Sequence, residues 1–329
     1  MTAIRIVGTG SCVPEKILTN HDLEKMVDTT DEWIVQRTGI RERRIADPDK
    51  NTSDLAKEAS MRALEQAGMI PEELDLIILA TITPDTCCPA SSNWLQGKLG
   101  AKNAVSFDVT AACTGFVFGL SIAEQYLKSG QFKTALVVGA EVLSRSTNWK
   151  DRTSCILWSD AAGAVVLSRS EQGAALRSTH IHSDGLAGDS LLLPGGGSST
   201  TPITPDSAEK GVHLLRLTNA NRTFKVAVKR FAEAIEEAAA HNEWSVSEID
   251  MIIPHQANLR ILHAFTERLK IPKEKVFVNV DRYGNSSAAT VPLALDQAVR
   301  SGKIQSGDKV ILAAFGGGLT WGSAFVQWH

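Results

Sequence analysis

The chain has 329 residues, of which 43% are hydrophobic and 22% charged, with a formal net charge of -3. That length exceeds one minimal core and suits one large domain or two that pack intimately. The charge balance carries no basic stripe for nucleic acid, and no apolar run reaches the roughly 18 residues of a membrane helix, so neither partner is expected.

The N-terminal MTAIRIVGTG enters directly into a β-like pattern, with none of the charged and apolar regions of a signal peptide. Gly8 and Gly10 follow that strand but lack the spacing of a dinucleotide fingerprint. AVSFDV (104–109) predicts a strand that leads to Cys113. GFVFGLSIAEQYLKSG then predicts a helix that is apolar on all sides at its start, hence buried. ALVVGAE (135–141) predicts the next strand, and the Gly-, Ser- and Pro-rich stretch 185–211 predicts a loop, of a length that is a lid or a connector. VFVNV (276–280) predicts a strand leading to Asn285, SSAATVPLALDQAVRSG a second Ala-rich helix, and VILAAFGGG (310–318) a strand ending in glycines. The five cysteines, at 12, 87, 88, 113 and 155, are odd in number, sparse and without a CxxC pair. They predict neither a disulfide framework nor a metal site, and they fit a reducing, cytoplasmic setting.

These segments repeat. Cys113 and Asn285 stand 172 positions apart, as do the Lys128-Ser129-Gly130 and Arg300-Ser301-Gly302 triplets. Ala63–Ala67 resembles Ala234–Ala238 at an offset of 171, and Leu74–Ile78 resembles Ile249–Ile253 at an offset of 175. Each half therefore reads helix, strand, strand, helix, strand, with the halves divided into residues 1–175 and 176–329. Strands alternating with helices predict an α/β fold of largely parallel sheets, and the simplest packing sets the two buried helices centrally between sheets.

Three side chains end predicted strands. Cys113, in AACTG, stands at a helix start among small neighbours, where the macrodipole and free N–H groups favour thiolate; it is a nucleophile or an inert core cysteine. His255, in MIIPHQAN, follows an apolar strand and either points into the ligand crevice of an α/β protein or is a satisfied core histidine. Asn285, in YGNSSAAT, occupies the place in the second half that Cys113 holds in the first; it is a donor or a helix cap. Together His255 and Asn285 offer two N–H donors for a developing oxyanion. The Gly316–Gly318 triplet ends a strand as a tight turn or as backbone N–H groups set close to a ligand.

With DEWIVQRTGIRERRI (31–45), AACTG (111–115), PHQANLRI (254–261), YGNSSAA (283–289) and AFGGGLTWG (314–322) in order and at suitable spacing, the chain resembles the β-ketoacyl-acyl-carrier-protein synthase III family of the thiolase superfamily. The resemblance runs nearly end to end. It implies a thiolase-like five-layer αβαβα fold and a homodimer. It also implies a reaction in which an acyl-CoA primer acylates Cys113 and malonyl-acyl-carrier protein then condenses with loss of carbon dioxide. No cofactor is implied beyond the CoA thioester substrates. The Cys113 and Gly317 backbone N–H groups would hold one oxyanion, and the His255 and Asn285 side chains the other. Trp33, Arg37 and Arg152 would bind the CoA adenine region, with Asn258 and Arg260 at the pantetheine tunnel mouth. Arg260 and Lys225 would meet the acidic carrier protein. Cys88, in TCCPASS, falls where some relatives close the acyl pocket with an aromatic residue, which implies a longer or branched primer. Ser159 stands where glycine is common.

The alternatives are a synthase-III-like acyltransferase of secondary metabolism, a cysteine hydrolase and a non-catalytic acyl-binding protein. A degradative thiolase needs a second cysteine that AFGGGLTWG lacks, and elongating synthases use a second histidine where Asn285 stands.

Overall fold

The central strand segments 76–80, 135–140, 251–254 and 310–315 read as near-continuous apolar runs because both of their faces are covered. The computed structural model describes residues 3–169, 171, 173–198, 203–218 and 220–329. In chain order the elements are β1 (Ile4–Cys12), β2 (Ile17–Thr19), α1 (Asn20–Leu23), α2 (Asp31–Thr38), β3 (Glu42–Arg44), α3 (Thr52–Ala67), β4 (Leu76–Ala80), α4 (Ser91–Leu99), β5 (Val105–Val109), α5 (Gly115–Ser129), β6 (Thr134–Val142), β7 (Asp160–Arg169) and β8 (Ala174–Ser183). There follow β9 (Leu191–Leu192), α6 (Pro205–Glu209), β10 (Arg216–Leu217), α7 (Ala220–His241), β11 (Met251–Pro254), α8 (Leu259–Leu269), α9 (Val280–Tyr283), α10 (Thr290–Arg300), β12 (Lys309–Gly316) and β13 (Thr320–Gln327).

Among the described residues nine strands join in the order β11-β12-β13-β8-β1-β7-β6-β4-β5. The two ends of this sheet, joined at β1–β8 by only two residue pairs, pack on the two faces of α5 and α10. Side chains of β4 alternate accordingly: Leu76 and Ile78 face the central helices with Phe116, Leu120, Val291 and Leu295, while Ile77 and Leu79 face α3 and α4. In the second half Met251, Ile253, Val310 and Leu312 face the same central layer, and Ile252, Ile311 and Phe325 face α7 and α8. The result is the five-layer αβαβα arrangement. Gly8 and Gly10 serve this packing and not a nucleotide: a Cβ on either would collide with the backbone of α3, at Ala63 and Ala59.

Three sequence expectations change. The sheet is mixed rather than largely parallel: β4–β5, β4–β6 and β11–β12 are parallel, whereas β1–β7, β1–β8, β6–β7, β12–β13 and β8–β13 are antiparallel. The three-residue turn between β12 and β13 permits nothing else. VFVNV is no strand. It makes one isolated bridge, Ile252 to Val276, because the Gln256 side chain takes over its backbone partners: Nε2 donates to the Phe277 carbonyl at 3.0 Å, and Oε1 accepts from Asn279 and Val280 N–H. The 185–211 stretch carries a 3-10 turn, the β9 strand paired with β10, and α6, capped by the Thr204 hydroxyl. Its residues 199–202 lie outside the described residues.

Candidate active site

Two tight turns meet at the centre of the molecule. The first, Ala112–Thr114, opens α5 and carries Cys113; the second, Ser287–Ala289, opens α10. Ala112 has φ 45° and Ser287 φ 49°, a left-handed conformation that costs a non-glycine residue on the order of 1 kcal/mol and persists where packing enforces it. These turns, the strands before them (β4 and β11) and the strands after them (β6 and β12) all match at an offset of 175. The structural twin of Cys113 is therefore Ala288, and Asn285 lies three residues upstream of that place. The 172 offset of the Lys-Ser-Gly and Arg-Ser-Gly triplets arises because α10 is shorter than α5, 11 residues against 15. Both helices still end just before a glycine of positive φ, Gly130 and Gly302.

Cys113, His255 and Asn285 nevertheless converge. All three line one cavity of about 450 Å³ together with Trp33, Arg37, Leu191, Phe224, Asn258, Arg260, Gly316 and Gly317. Gly316 lets β12 approach the nucleophile turn, since a Cβ there would stand 2.8 Å from the Cys113 nitrogen. Thr114 and Thr320 hydroxyls, 3.0 Å apart, stitch the turn to β13. Asn285 is no helix cap: its Oδ1 accepts the Ser287 N–H at 2.8 Å, which leaves its amide N–H groups for the cavity.

His255 hangs from β12 by its N–H to the Ala313 carbonyl, 2.8 Å. Burial pulls its pKa down to about 3, so the ring is neutral at neutral pH. Its Nδ1 lies 2.6 Å from the Thr290 hydroxyl. That hydroxyl also lies 2.9 Å from the Ser287 carbonyl, which already accepts the Thr290 N–H. With the hydroxyl proton given to Nδ1, the imidazole proton stands on Nε2 as a donor for the cavity; with the hydroxyl proton given to the Ser287 carbonyl, it stands on Nδ1.

The thiolate expected of Cys113 is not what its surroundings favour. Burial, opposed by the nearby Ser287 hydroxyl and reinforced by Glu141, pushes the thiol up to about 12. A helix N-terminus contributes about 0.3–1 kcal/mol, under one pH unit at roughly 1.4 kcal/mol each. It does not offset desolvation of that size.

Around the cavity mouth, Trp33 lies between two guanidinium groups, with Arg37 and Arg152 each 4.5 Å from its ring centroid. Arg152 is also paired with Asp28 at 3.1 Å. Asn258 caps α8 through the Arg260 N–H and donates to the Arg37 carbonyl at 3.1 Å, so it ties α8 to α2. Arg260 stacks over Phe224. Lys225 is exposed on α7, outside the cavity. Within one chain Cys88 is exposed and reaches neither cavity. Its neighbour Cys87 does line a second cavity, of about 720 Å³, on the far side of the nucleophile turn. That cavity is also bounded by Thr81–Thr86, Ala111, Ala112, Leu193 and Leu215, and shares Leu191 and Gly317 with the first.

Two family models match the chain: 3-oxoacyl-[acyl-carrier-protein] synthase III over residues 107–185 and its C-terminal counterpart over 239–328. A β-ketoacyl-[acyl-carrier-protein] synthase III of Caldanaerobacter subterraneus is 50% identical over 326 residues, covering 99% of this chain and 98% of that protein. This chain belongs to the synthase III family. Another synthase III, from Thioalkalivibrio sulfidiphilus, is 50% identical over 99% of this chain and 100% of its own length. The crystal structure of the Aquifex aeolicus synthase III superposes with a TM-score of 0.91 at 43% identity, covering 99% of this chain and 100% of that one. The family's thiolase-type fold is thus the one described above.

Sequence reasoning missed one buried acidic residue close to Cys113. Glu141, at the end of β6, is fully buried, and its Oε2 accepts from the Thr81 hydroxyl (3.0 Å), the Thr83 hydroxyl (2.6 Å) and the Ile82 and Thr83 N–H groups (3.1 Å each). The signal was a lone acidic residue in the apolar run ALVVGAE. Ser159 is used structurally: its hydroxyl accepts the Arg44 N–H at 2.8 Å.

Proposed function

We propose that this enzyme condenses an acyl-CoA primer with malonyl-acyl-carrier protein, with loss of carbon dioxide, to give 3-ketoacyl-acyl-carrier protein, the initiating step of fatty-acid biosynthesis. The observation that carries the reading is the convergence of Cys113, His255 and Asn285 on one cavity whose mouth bears the Arg37–Trp33–Arg152 stack. An adenine ring finds stacking partners there, in the place of one guanidinium. The first cavity takes the pantetheine arm.

In this reading Cys113 attacks the primer thioester and CoA leaves. The Cys113 and Gly317 backbone N–H groups hold the tetrahedral oxyanion, each donor of this kind contributing on the order of 10²–10³ in rate. Malonyl decarboxylation then leaves an enolate on the extender thioester oxygen. The His255 Nε2–H and the Asn285 amide hold it. The carbanion attacks the Cys113 acyl group, and no cofactor enters.

The second cavity, bounded by Ile82, Val142, Leu191, Leu193 and Leu215, holds the acyl chain and has room for primers longer than acetyl. One similar structure, a priming β-ketosynthase of a polyketide biosynthetic pathway, 35% identical with a TM-score of 0.89, favours a specialised pathway as the second reading. Homodimerisation finds support in the open edge of β5, where Val105 is 52% exposed and Trp94 of the adjoining α4 45% exposed. The chain then consists of two thiolase-like halves, 1–175 with the nucleophile and 176–329 with His255 and Asn285. Arg260 and Lys225 face the acidic carrier protein. A nucleophilic thiol supports a reducing compartment such as the cytoplasm.

Incubation with acetyl-CoA or a longer acyl-CoA is expected to add one acyl mass to the Cys113 peptide. Absence of label with every primer in a panel overturns the proposal, and the primer labelled fastest reports chain length.

A further inference from the structure

The assigned chemistry leaves one proton without a destination. Cys113 enters the reaction as a neutral thiol, and acylation requires its sulfur to lose hydrogen as it attacks. His255 is no acceptor: its Nδ1 is occupied by Thr290, and burial holds its pKa near 3. Among the described residues one other ionisable side chain lies close enough to act on the thiol, and that is Glu141.

Ser287 stands between them. Its turn is wedged between the two: β6 at Gly139 lies against the Ala288 backbone and the start of α5 at Gly115 against the Ala288 Cβ, which sets the Ser287 hydroxyl near the Cys113 sulfur and the Glu141 carboxylate. It is fully buried and has no aligned hydrogen-bond partner in the resting arrangement. The left-handed φ of 49° and the N–H bond to Asn285 Oδ1 fix its backbone. On Glu141 the four donors from Thr81, Ile82 and Thr83 gather on Oε2, while Oε1 keeps only a 3.2 Å contact from the Ile82 N–H. Oε1 is therefore the less engaged acceptor of a carboxylate that lies near an unpartnered hydroxyl.

The geometry points to Ser287 and Glu141 as the route by which Cys113 gives up its proton during primer loading. This rests on Cys113 being the acylated residue. The Cys113 S–H proton passes to Ser287 Oγ as the Ser287 O–H proton passes to Glu141 Oε1. The sulfur forms its bond to the thioester carbonyl carbon, and the bond from that carbon to the CoA sulfur breaks. The proton returns through Ser287 to the departing CoA thiolate. Net, one proton moves from Cys113 to CoA, with no oxidant or reductant. Glu141 acts through Ser287 and is a positioning residue; Ser287 stands next to the reacting sulfur.

Burial raises the Glu141 carboxyl to about 7, against the hydrogen bonds from Thr83, Ile82 and Thr81 and the nearby Ser287 hydroxyl. A group with this pKa is an acceptor above pH 7 and is already protonated below it, so loading should accelerate as pH rises through about 7. The groups packed on Glu141 are the Thr81, Thr83 and Ser287 hydroxyls and the Cys113 thiol. Nearby charges are engaged elsewhere: Asp85 with Ser53, Asp160 with Ser144, and Arg145 with the carbonyls of Asp47, Pro48 and Lys50.

The test is the pH profile of single-turnover acylation, followed by intact mass with the primer that labels the wild-type enzyme. Glu141→Gln keeps an acceptor for the four Oε2 donors but turns an amide N–H toward Ser287. It is expected to lose the limb near pH 7 and to load on the order of 100-fold more slowly at pH 8. Ser287→Ala is expected to do the same. A purely structural Glu141 would lower the rate at every pH and leave the limb in place; that result, or wild-type profiles in both variants, overturns the relay. Should Glu141→Gln fail to fold, Ser287→Ala, which removes a single oxygen, decides. Failure of the wild-type enzyme to load any primer would instead sink the proposed function.

Discussion

Gly316→Ala tests whether the close contact between β12 and the nucleophile turn governs chemistry. The added Cβ would stand 2.8 Å from the Cys113 nitrogen and 3.1 Å from both the Thr114 nitrogen and its Oγ1. Ordinary contact for such a pair is about 3.5 Å, so the turn or the strand must yield by roughly half an ångström. Both are braced. Thr320 bonds the Ala111 carbonyl at 3.1 Å, and β12 is paired on both sides, with β11 and β13. Overpacking of this kind costs about 1–3 kcal/mol of stability. The moved atom is also a donor of the proposed oxyanion hole, and a misplacement approaching 1 Å costs up to ~100-fold in rate. The expected result is a folded protein of lower Tm whose acylation by acyl-CoA falls roughly 10- to 100-fold, measured by intact mass after rapid quench. Unchanged loading with unchanged Tm would show that the turn accommodates a methyl group and refute the argument.

His255→Ala is expected to reduce malonyl-carrier-protein decarboxylation on the order of 10²–10³-fold while sparing acylation, read as carbon dioxide release and acyl-enzyme mass in parallel; equal losses in both half-reactions would contradict the donor role. Trp33→Ala removes the ring between Arg37 and Arg152, a stacking contribution of about 0.5–2 kcal/mol. It should raise KM for acyl-CoA roughly 2- to 30-fold and leave the matching acyl-pantetheine, which has no adenine, unaffected. A similar rise for both substrates would place Trp33 outside the nucleotide contact.

Much of the site was legible because its parts are short and local. Cys113 and Gly316 each belong to a strand-to-turn junction whose small residues are visible in the chain, and His255 follows a recognisable apolar strand. The duplication was legible too, but its register was misread. The helix-ending glycines gave an offset of 172, whereas the strands and turns superpose at 175, because one turn's worth of helix is missing from α10 and the connection to β12 makes up the length. VFVNV has strand composition and a different fate, since a distant glutamine side chain satisfies its backbone. No periodicity reports a partner of that kind.

What the sequence determined by itself is the layered α/β architecture, the three converging polar residues and the family to which they belong. Those follow from apolar period and from turn chemistry, which act over a few residues. Only the tertiary structure decided the protonation states. The thiol pushed up to about 12, the imidazole held near 3 and the Glu141 carboxyl near 7 are consequences of burial. Desolvation is set by everything packed around a group, from both halves of the chain at once. Cys113 read alone is a cysteine at a helix start. Enclosed by β12, His255, Ser287 and Glu141, it is a neutral thiol that needs somewhere to send its proton.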